Sequence, residues 1–233
     1  MPRLVVHVEG QTEETFVNEI LRPHLMGFGY QAVWPRIVGN ARLDNRTGGI
    51  KGWDSVRRDM INHLRQNTGC LATSMVDYYA LPSTGPKAWP GRAEAANLPW
   101  DKRALHLEKA LRADLEKETG RDLAKRIRPF VVMHEYEGLL FSDCDAFSRG
   151  IYRPELGSKF QKIRDQFATP EEINDSPLTA PSKRVEALVP GYSKPLLGVL
   201  AALEVGLPAI RQECPGFRRW LVDLESWPRL GDF

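Results

Sequence analysis

The stretch "LVVHVEGQTEETFVNEIL", residues 4–21, decides the fold. From Leu4 to Val8 it carries four apolar residues, mostly β-branched, around a single His7, the signature of a buried strand. After Gly10 the period changes. Phe16, Val17, Ile20 and Leu21 recur at helical spacing and predict a helix from Thr12 or Glu13. Thr12 can serve as its N-cap, and Glu13 and Glu14 fall in the first turn, where the helix dipole favours acids. Glu9 has no such role. A carboxylate closing an apolar strand is costly to bury alone, and in an open α/β sheet that strand end is where ligands bind. Glu9 and Glu13 facing one crevice would form a hard-cation site of the magnesium type; helix-start chemistry explains Glu13 equally well.

Outward from this unit, "YQAVWPRIV" (30–38) reads as a second strand and "GNARLDNRTGGIKG" (39–52) as a polar, Gly-rich loop without a complete phosphate-loop motif. Residues 53–66 have helical spacing through Val56, Met60, Ile61 and Leu64. "CLATSMVDYYALP" (70–82) is a strand whose apolar run again ends on an acid, Asp77, with Tyr78 and Tyr79 read as packing residues. Residues 83–100, rich in Pro and Gly, read as a long surface excursion. A charged helix follows over 101–119, with Leu107, Leu111 and Leu115 on one face and Gly120 at its exit. The basic residues between Lys102 and Arg128 suit a solvated helix face, with a nucleic-acid groove as the competing reading.

"RPFVVMHEYEGLLFSD" (128–143) repeats the opening pattern: an apolar strand reaches His134 and Glu135, Glu137 follows, and a new packed element starts. His134 itself reads as a hydrogen-bonded strand-end residue. From Cys144 to Pro181 the pattern is weak, broken by Pro154, Pro170, Pro177 and Pro181. Helical spacing returns over 183–188, 196–205 and 217–224. Alternating strands and helices predict an α/β fold: a mostly parallel central sheet with helices on both faces and a helical C-terminal region. The expected division is a core over 1–145 and a mainly helical extension over 146–233 packed on it. Three strands end on acids, Glu9, Asp77 and Glu135, and in a parallel sheet those ends share one edge.

With 32 basic and 30 acidic residues the formal charge is +2, so no global polycation signals nucleic acid, though a local basic groove remains compatible. The three cysteines, Cys70, Cys144 and Cys214, are far apart, which argues against a disulfide framework or a structural zinc and fits a reducing compartment. No signal-like segment opens the sequence and no apolar run approaches membrane-spanning length, so a soluble, cytoplasmic protein without a membrane partner is expected.

"VEGQTEE", "MVDYYALP" followed by "WPG", "HEYEGLLFSD" and "TAPSKR" together resemble a bacterial family of unknown function, number 4276 in the domain-of-unknown-function series. That family resembles an outlying Toprim group, distantly similar to overcoming-lysogenisation-defect nuclease domains. The resemblance implies a Toprim-like core, Mg²⁺ or Mn²⁺ as cofactor, and chemistry on phosphodiester bonds. It matches Glu9 to the Toprim glutamate, Asp77 to the first aspartate of D-x-D, and Glu13 to an additional acid of the nuclease branch. The departure is Tyr79, which stands where the second aspartate belongs; Glu135 or Glu137 is the candidate replacement ligand. Lys183, in "PSKR", resembles the basic residue near the scissile phosphate.

The function expected on these grounds is Mg-dependent phosphodiester hydrolysis of nucleic acid, in phage defence with an ATPase partner. Glu9, Asp77 and Lys183 would be catalytic, and Glu9, Glu13, Asp77, Glu135 and Glu137 the metal ligands. Two alternatives compete. One is a non-catalytic partner or regulatory subunit of an ATPase, which the loss of the second D-x-D acid suits. The other is a phosphohydrolase of small nucleotides.

Overall fold

The strands of the central sheet run in the order β2-β1-β3-β4, all parallel. They are β1 (Arg3–Val8), β2 (Ala32–Ile37), β3 (Cys70–Asp77) and β4 (Ile127–Arg128), and β5 (Val131–Val132) pairs with the far end of β3. The computed structural model describes residues 1–38, 52–174, 176 and 178–230; the Gly-rich loop read at 39–52 lies outside them except for Gly52. In register, Val8 lies beside Ile37 on one side and Met75 on the other, and Asp77 lies beside Val132. The chain leaves β1, β3 and β5 at one edge of the sheet, where Glu9, Asp77 and Glu135 fall.

The edge line β4–β5 is broken by Pro129, which has no amide for the ladder. Buried side chains of β3 fill the gap. Ser74 Oγ donates to the Phe130 carbonyl (2.9 Å) and accepts from the Phe130 amide (3.0 Å), and Thr73 Oγ1 donates to the Arg128 carbonyl (2.6 Å). A break that would otherwise leave buried polar groups unpaired is thus closed without a ladder.

Alternate residues of each strand face opposite layers. Leu4, Val6, Val8, Leu71 and Met75 join one apolar cluster, while Val5, Cys70, Ala72 and Val76 join the other. On the second face lie α3 (Trp53–Gln66), α4 (Arg92–Ala95), α5 (Trp100–Thr119) and the short α6 (Arg121–Ala124), with α5 burying Leu107, Leu111 and Leu115 as its spacing predicts and α6 packing through Leu123. Gly120 leaves α5 at φ 79°, a conformation glycine adopts freely. The segment 83–100 is not simply a surface excursion. Trp89 is buried against Trp53, ring centroids 5.0 Å apart, and pins that segment to the core.

On the first face lie α1 (Gln11–Phe16), the π-helical turn Val17–Leu21 and α2 (Arg22–Met26). The cap of α1 is Gly10 rather than Thr12, whose side chain is buried inside the first turn. The same face receives α7 (Glu137–Leu140), α8 (Cys144–Gly150), α9 (Gly157–Arg164), α10 (Pro181–Leu188), α11 (Val199–Glu213) and α12 (Pro215–Leu230). The weakly patterned stretch after Cys144 therefore contains two true helices, α8 and α9. Their stacked Phe147 and Phe160 rings (4.4 Å between centroids) supply the packing that short, proline-punctuated helices cannot supply by periodicity. Residues of α12 reach the sheet directly: Trp220 Nε1 donates to Thr73 Oγ1 (2.9 Å), and the Tyr30 hydroxyl donates to the Leu224 carbonyl (2.8 Å).

One described segment, Lys194–Glu213, is long and apolar enough by length and composition to cross a membrane, which the sequence reading did not anticipate. Within the fold it is bent at Gly206 (φ 75°) and packs on α8 through Ala201 and Ala202. Gly150 permits that approach, since a Cβ there would lie 2.6 Å from the Ala201 Cα.

Candidate functional site

At the edge where β1 and β3 end, a cleft of about 480 Å³ is lined by Glu9, Glu13, Asp77, Tyr192 and Lys194. Glu9 follows β1 directly. Glu13 enters from the first turn of α1, where its Oε2 accepts the Gly10 amide (3.0 Å). Asp77 ends β3, and its Oδ1 accepts the Tyr136 amide (2.9 Å). That bond depends on His134, which sits at φ 63°. This left-handed conformation, uncommon for a non-glycine residue though one histidine tolerates, turns the chain back after β5 and aims the Tyr136 amide at Asp77.

Around the cleft, Glu137 is fully buried at the start of α7, with Lys194 Nζ 2.9 Å from its Oε2 and, among the described residues, no hydrogen-bond partner on Oε1. Glu135 stands slightly aside: its Oε2 accepts the Ser182 amide (2.9 Å) at the start of α10. Lys183 does not line the cleft. It is half-exposed and paired with Glu186 at 2.7 Å. Tyr79, read as a packing residue, is 40% exposed, because the short 3₁₀ turn after Asp77 swings it outward while Tyr78 goes in. Tyr78 packs under the Arg92 guanidinium, 3.8 Å from the ring centroid.

The electrostatics follow from crowding acids at a buried edge. Burial, then the Glu13 charge, push Glu9 up to about 7 against the Asp77 amide and Lys194. Asp77 is raised well above the carboxylate range by burial and by Glu9, Glu13 and Glu137. Glu13 is raised by burial, and burial pushes Glu137 up to about 7 against the Lys194 charge. Burial alone would lower Lys194, but Glu137, Glu135 and Asp77 more than offset it and hold the ammonium charged. One cation therefore faces several carboxylates that repel one another.

Lys194 and Tyr192 are the site residues that sequence reasoning missed. "GYSKP" has no spacing that marks them, and they reach the cleft only because the turn before α11 folds onto α1 and α7.

The donor set suits a hard cation: it is all carboxylate, and Glu9 Oε2 is buried with no hydrogen-bond partner among the described residues. Among the described residues no three His, Cys, Asp or Glu side chains are already gathered around one point as a metal cage. Magnesium does not need such a cage, since it commonly takes one or two protein carboxylates and completes its shell with water and substrate oxygens.

A parallel α/β sheet with an acidic cleft at its C-terminal edge defines the class of protein. The sequence profile described as domain of unknown function DUF4276 matches residues 8–225, and the chain belongs to that family. Searches of curated proteins and of solved structures returned no significant match.

Proposed function

We propose that the cleft hydrolyses phosphodiester bonds in nucleic acid with Mg²⁺ or Mn²⁺, in the cytoplasm and in concert with an ATPase partner in phage defence. The observation that carries this reading is the convergence of Glu9, Glu13 and Asp77 on one cleft with Lys194 among them. The motif resemblance to Toprim nucleases supports it independently. Glu9 and Asp77 would hold the cation, which when bound supplies Lewis-acid polarisation of the phosphate and a more acidic water. Hydrolysis adds water across a phosphorus–oxygen bond and leaves one hydroxyl end and one phosphate end. Lys194, rather than Lys183, stands where charge on the phosphate oxygens needs a partner. Glu137 and Glu135 hold that ammonium in place, while the Tyr136 amide fixes Asp77.

A second reading, a non-catalytic partner of an ATPase, is favoured by a specific feature. Asp77 and Glu135 each spend an oxygen on a backbone amide, as acids with a purely structural duty do. A small-nucleotide phosphohydrolase would use the same cleft on a shorter substrate.

The test is cleavage of DNA and RNA by purified protein with Mn²⁺ or Mg²⁺, alone and with the ATPase. Glu9→Ala and Asp77→Ala should abolish it. Lys194→Ala should slow it by on the order of 10²–10³, and Lys183→Ala by much less. Equal cleavage by wild type and Glu9→Ala would sink the catalytic reading and leave the partner role.

A further inference from the structure

A second pocket, of about 370 Å³, lies between α5 and α12 beside the edge strand at Pro129. It is lined by Lys109, Arg112, Arg128 and Arg219 against two carboxylates, Glu108 and Asp223. Glu108 is already spent: Arg219 Nη2 lies 2.8 and 3.1 Å from its two oxygens, and Oε1 also accepts the Val131 amide at 3.4 Å. The outward amide of the edge strand is thereby covered, so the pocket is not a place for adding a strand. Arg128 is held with its guanidinium 4.3 Å from the Trp227 ring centroid and donates to the Asp223 carbonyl at 3.0 Å. Among the described residues neither Lys109 nor Arg112 has an ion-pair partner.

The geometry points to a phosphate-binding site in this pocket, with Arg112 and Lys109 as the free cations and the fixed Arg128 as its floor. Like charges held close are unfavourable without a counter-ion, and Arg112 does act on Arg128 in that sense, adding to burial in lowering its pKa. A guanidinium prefers phosphate because its planar donors match two oxygens at once. The basic run between Lys102 and Arg128, compatible in the sequence with a solvated face or a nucleic-acid groove, is in this part a rimmed pocket. Its ligand is the phosphate group, whether of a nucleic-acid backbone or free in solution.

Two probes distinguish those sources: inorganic phosphate by calorimetry and a short fluorescent oligothymidylate by anisotropy. Both titrations use the full chain without divalent cations, so their outcome is separate from that of the acidic cleft. Lys109→Gln with Arg112→Gln touches only exposed side chains and should preserve the fold, checked by thermal melting. We expect the double variant to weaken binding roughly tenfold or more and to lower the salt dependence by about two phosphate contacts. Asp223→Asn should tighten binding. Oligonucleotide binding tighter than phosphate assigns the site to a nucleic-acid backbone; phosphate binding without oligonucleotide binding assigns it to a free phosphate. Unchanged affinity and salt slope in the double variant, or no binding of either probe by wild type, overturns the proposal.

Discussion

The Lys194 ammonium stands 2.9 Å from Glu137 Oε2, and Glu137 is completely buried while Lys194 keeps 38% of its side chain in solvent. Among the described residues that carboxylate has no other charged partner in hydrogen-bonding range, so removing the lysine strands it. Lys194→Met should therefore destabilise the fold by about 2 kcal/mol, less than the 3–5 kcal/mol of a fully buried pair because solvent already screens the lysine. Glu137→Gln in the same chain should recover much of that loss. Denaturant melts of the two single variants and the double variant measure the coupling; additive losses would show that the pair is not energetically linked.

Metal binding has its own signature. Mg²⁺ or Mn²⁺ at millimolar concentration should raise the melting temperature, since a ligand that binds only the folded state stabilises it by mass action. Glu9→Gln should remove the shift with little change in the metal-free melt, because among the described residues Glu9 Oε2 makes no hydrogen bond that the amide would lose. A shift that survives in Glu9→Gln would place the cation elsewhere.

Stability should also depend on pH through His7. His7 is fully buried, with Nδ1 3.2 Å from the Thr73 carbonyl and Nε2 3.2 Å from His63 Nδ1. Donation from Nδ1 to Thr73 leaves Nε2 to accept from His63, an arrangement only the neutral ring permits. Burial, with His63 and Arg36 nearby, lowers His7 to about 3, while Asp59 acts on His63 from the same helix. The unfolded chain takes up this proton near the ordinary value of 6.5, and the folded chain only near 3. The His7 contribution is thus full above the unfolded value and is lost as pH falls through that window, by up to about 1.4 kcal/mol per pH unit. The raised acids of the cleft act in the opposite direction, so the comparison is between wild type and His7→Gln. The variant should lack that acid-side slope; parallel stability curves would contradict it.

Glu171 caps the last helix. Its two oxygens accept the amides of Gly216 (2.7 Å) and Phe217 (2.9 Å), and the residue is 3% exposed. Glu171→Ala should cost about 2–3 kcal/mol, the value of charge-assisted bonds whose donors are then left buried and unmet. Glu171→Gln, which keeps an acceptor for only one of the two amides, should lose about half as much. A change within error for the alanine variant in urea melts would remove the capping role.

The parts legible in the sequence share one property: their signal is local. The change of period between Val8 and Phe16 marks strand and helix, and the acids closing β1 and β3 mark the sheet edge. The helices α8 and α9 were not legible, because Pro154 and Pro170 interrupt their pattern and their stability comes from Phe147 stacking on Phe160 and from α11 crossing at Gly150. Lys194 was invisible for a related reason. Its partner Glu137 is 57 positions away, and nothing around it in sequence separates it from Lys183, which pairs with Glu186 on its own helix.

The hydrogen bonds from Trp220 to Thr73 and from Tyr30 to Leu224 have a consequence for biosynthesis. The first face of β1 and β3 is finished by residues of α12, so during translation the cover on that face stays incomplete until Trp227 has left the ribosome. The opposite face needs nothing beyond Met133 in its apolar cluster. The nascent chain can therefore finish one side of its sheet early while Leu4, Val6, Leu71 and Met75, first met by Phe16 and Leu21, wait for the rest of their cover, a part-clad sheet whose apolar surface invites chaperone binding. Closure comes only with the last helix, whose cap at Glu171 and anchor at Thr73 are already in place to receive it.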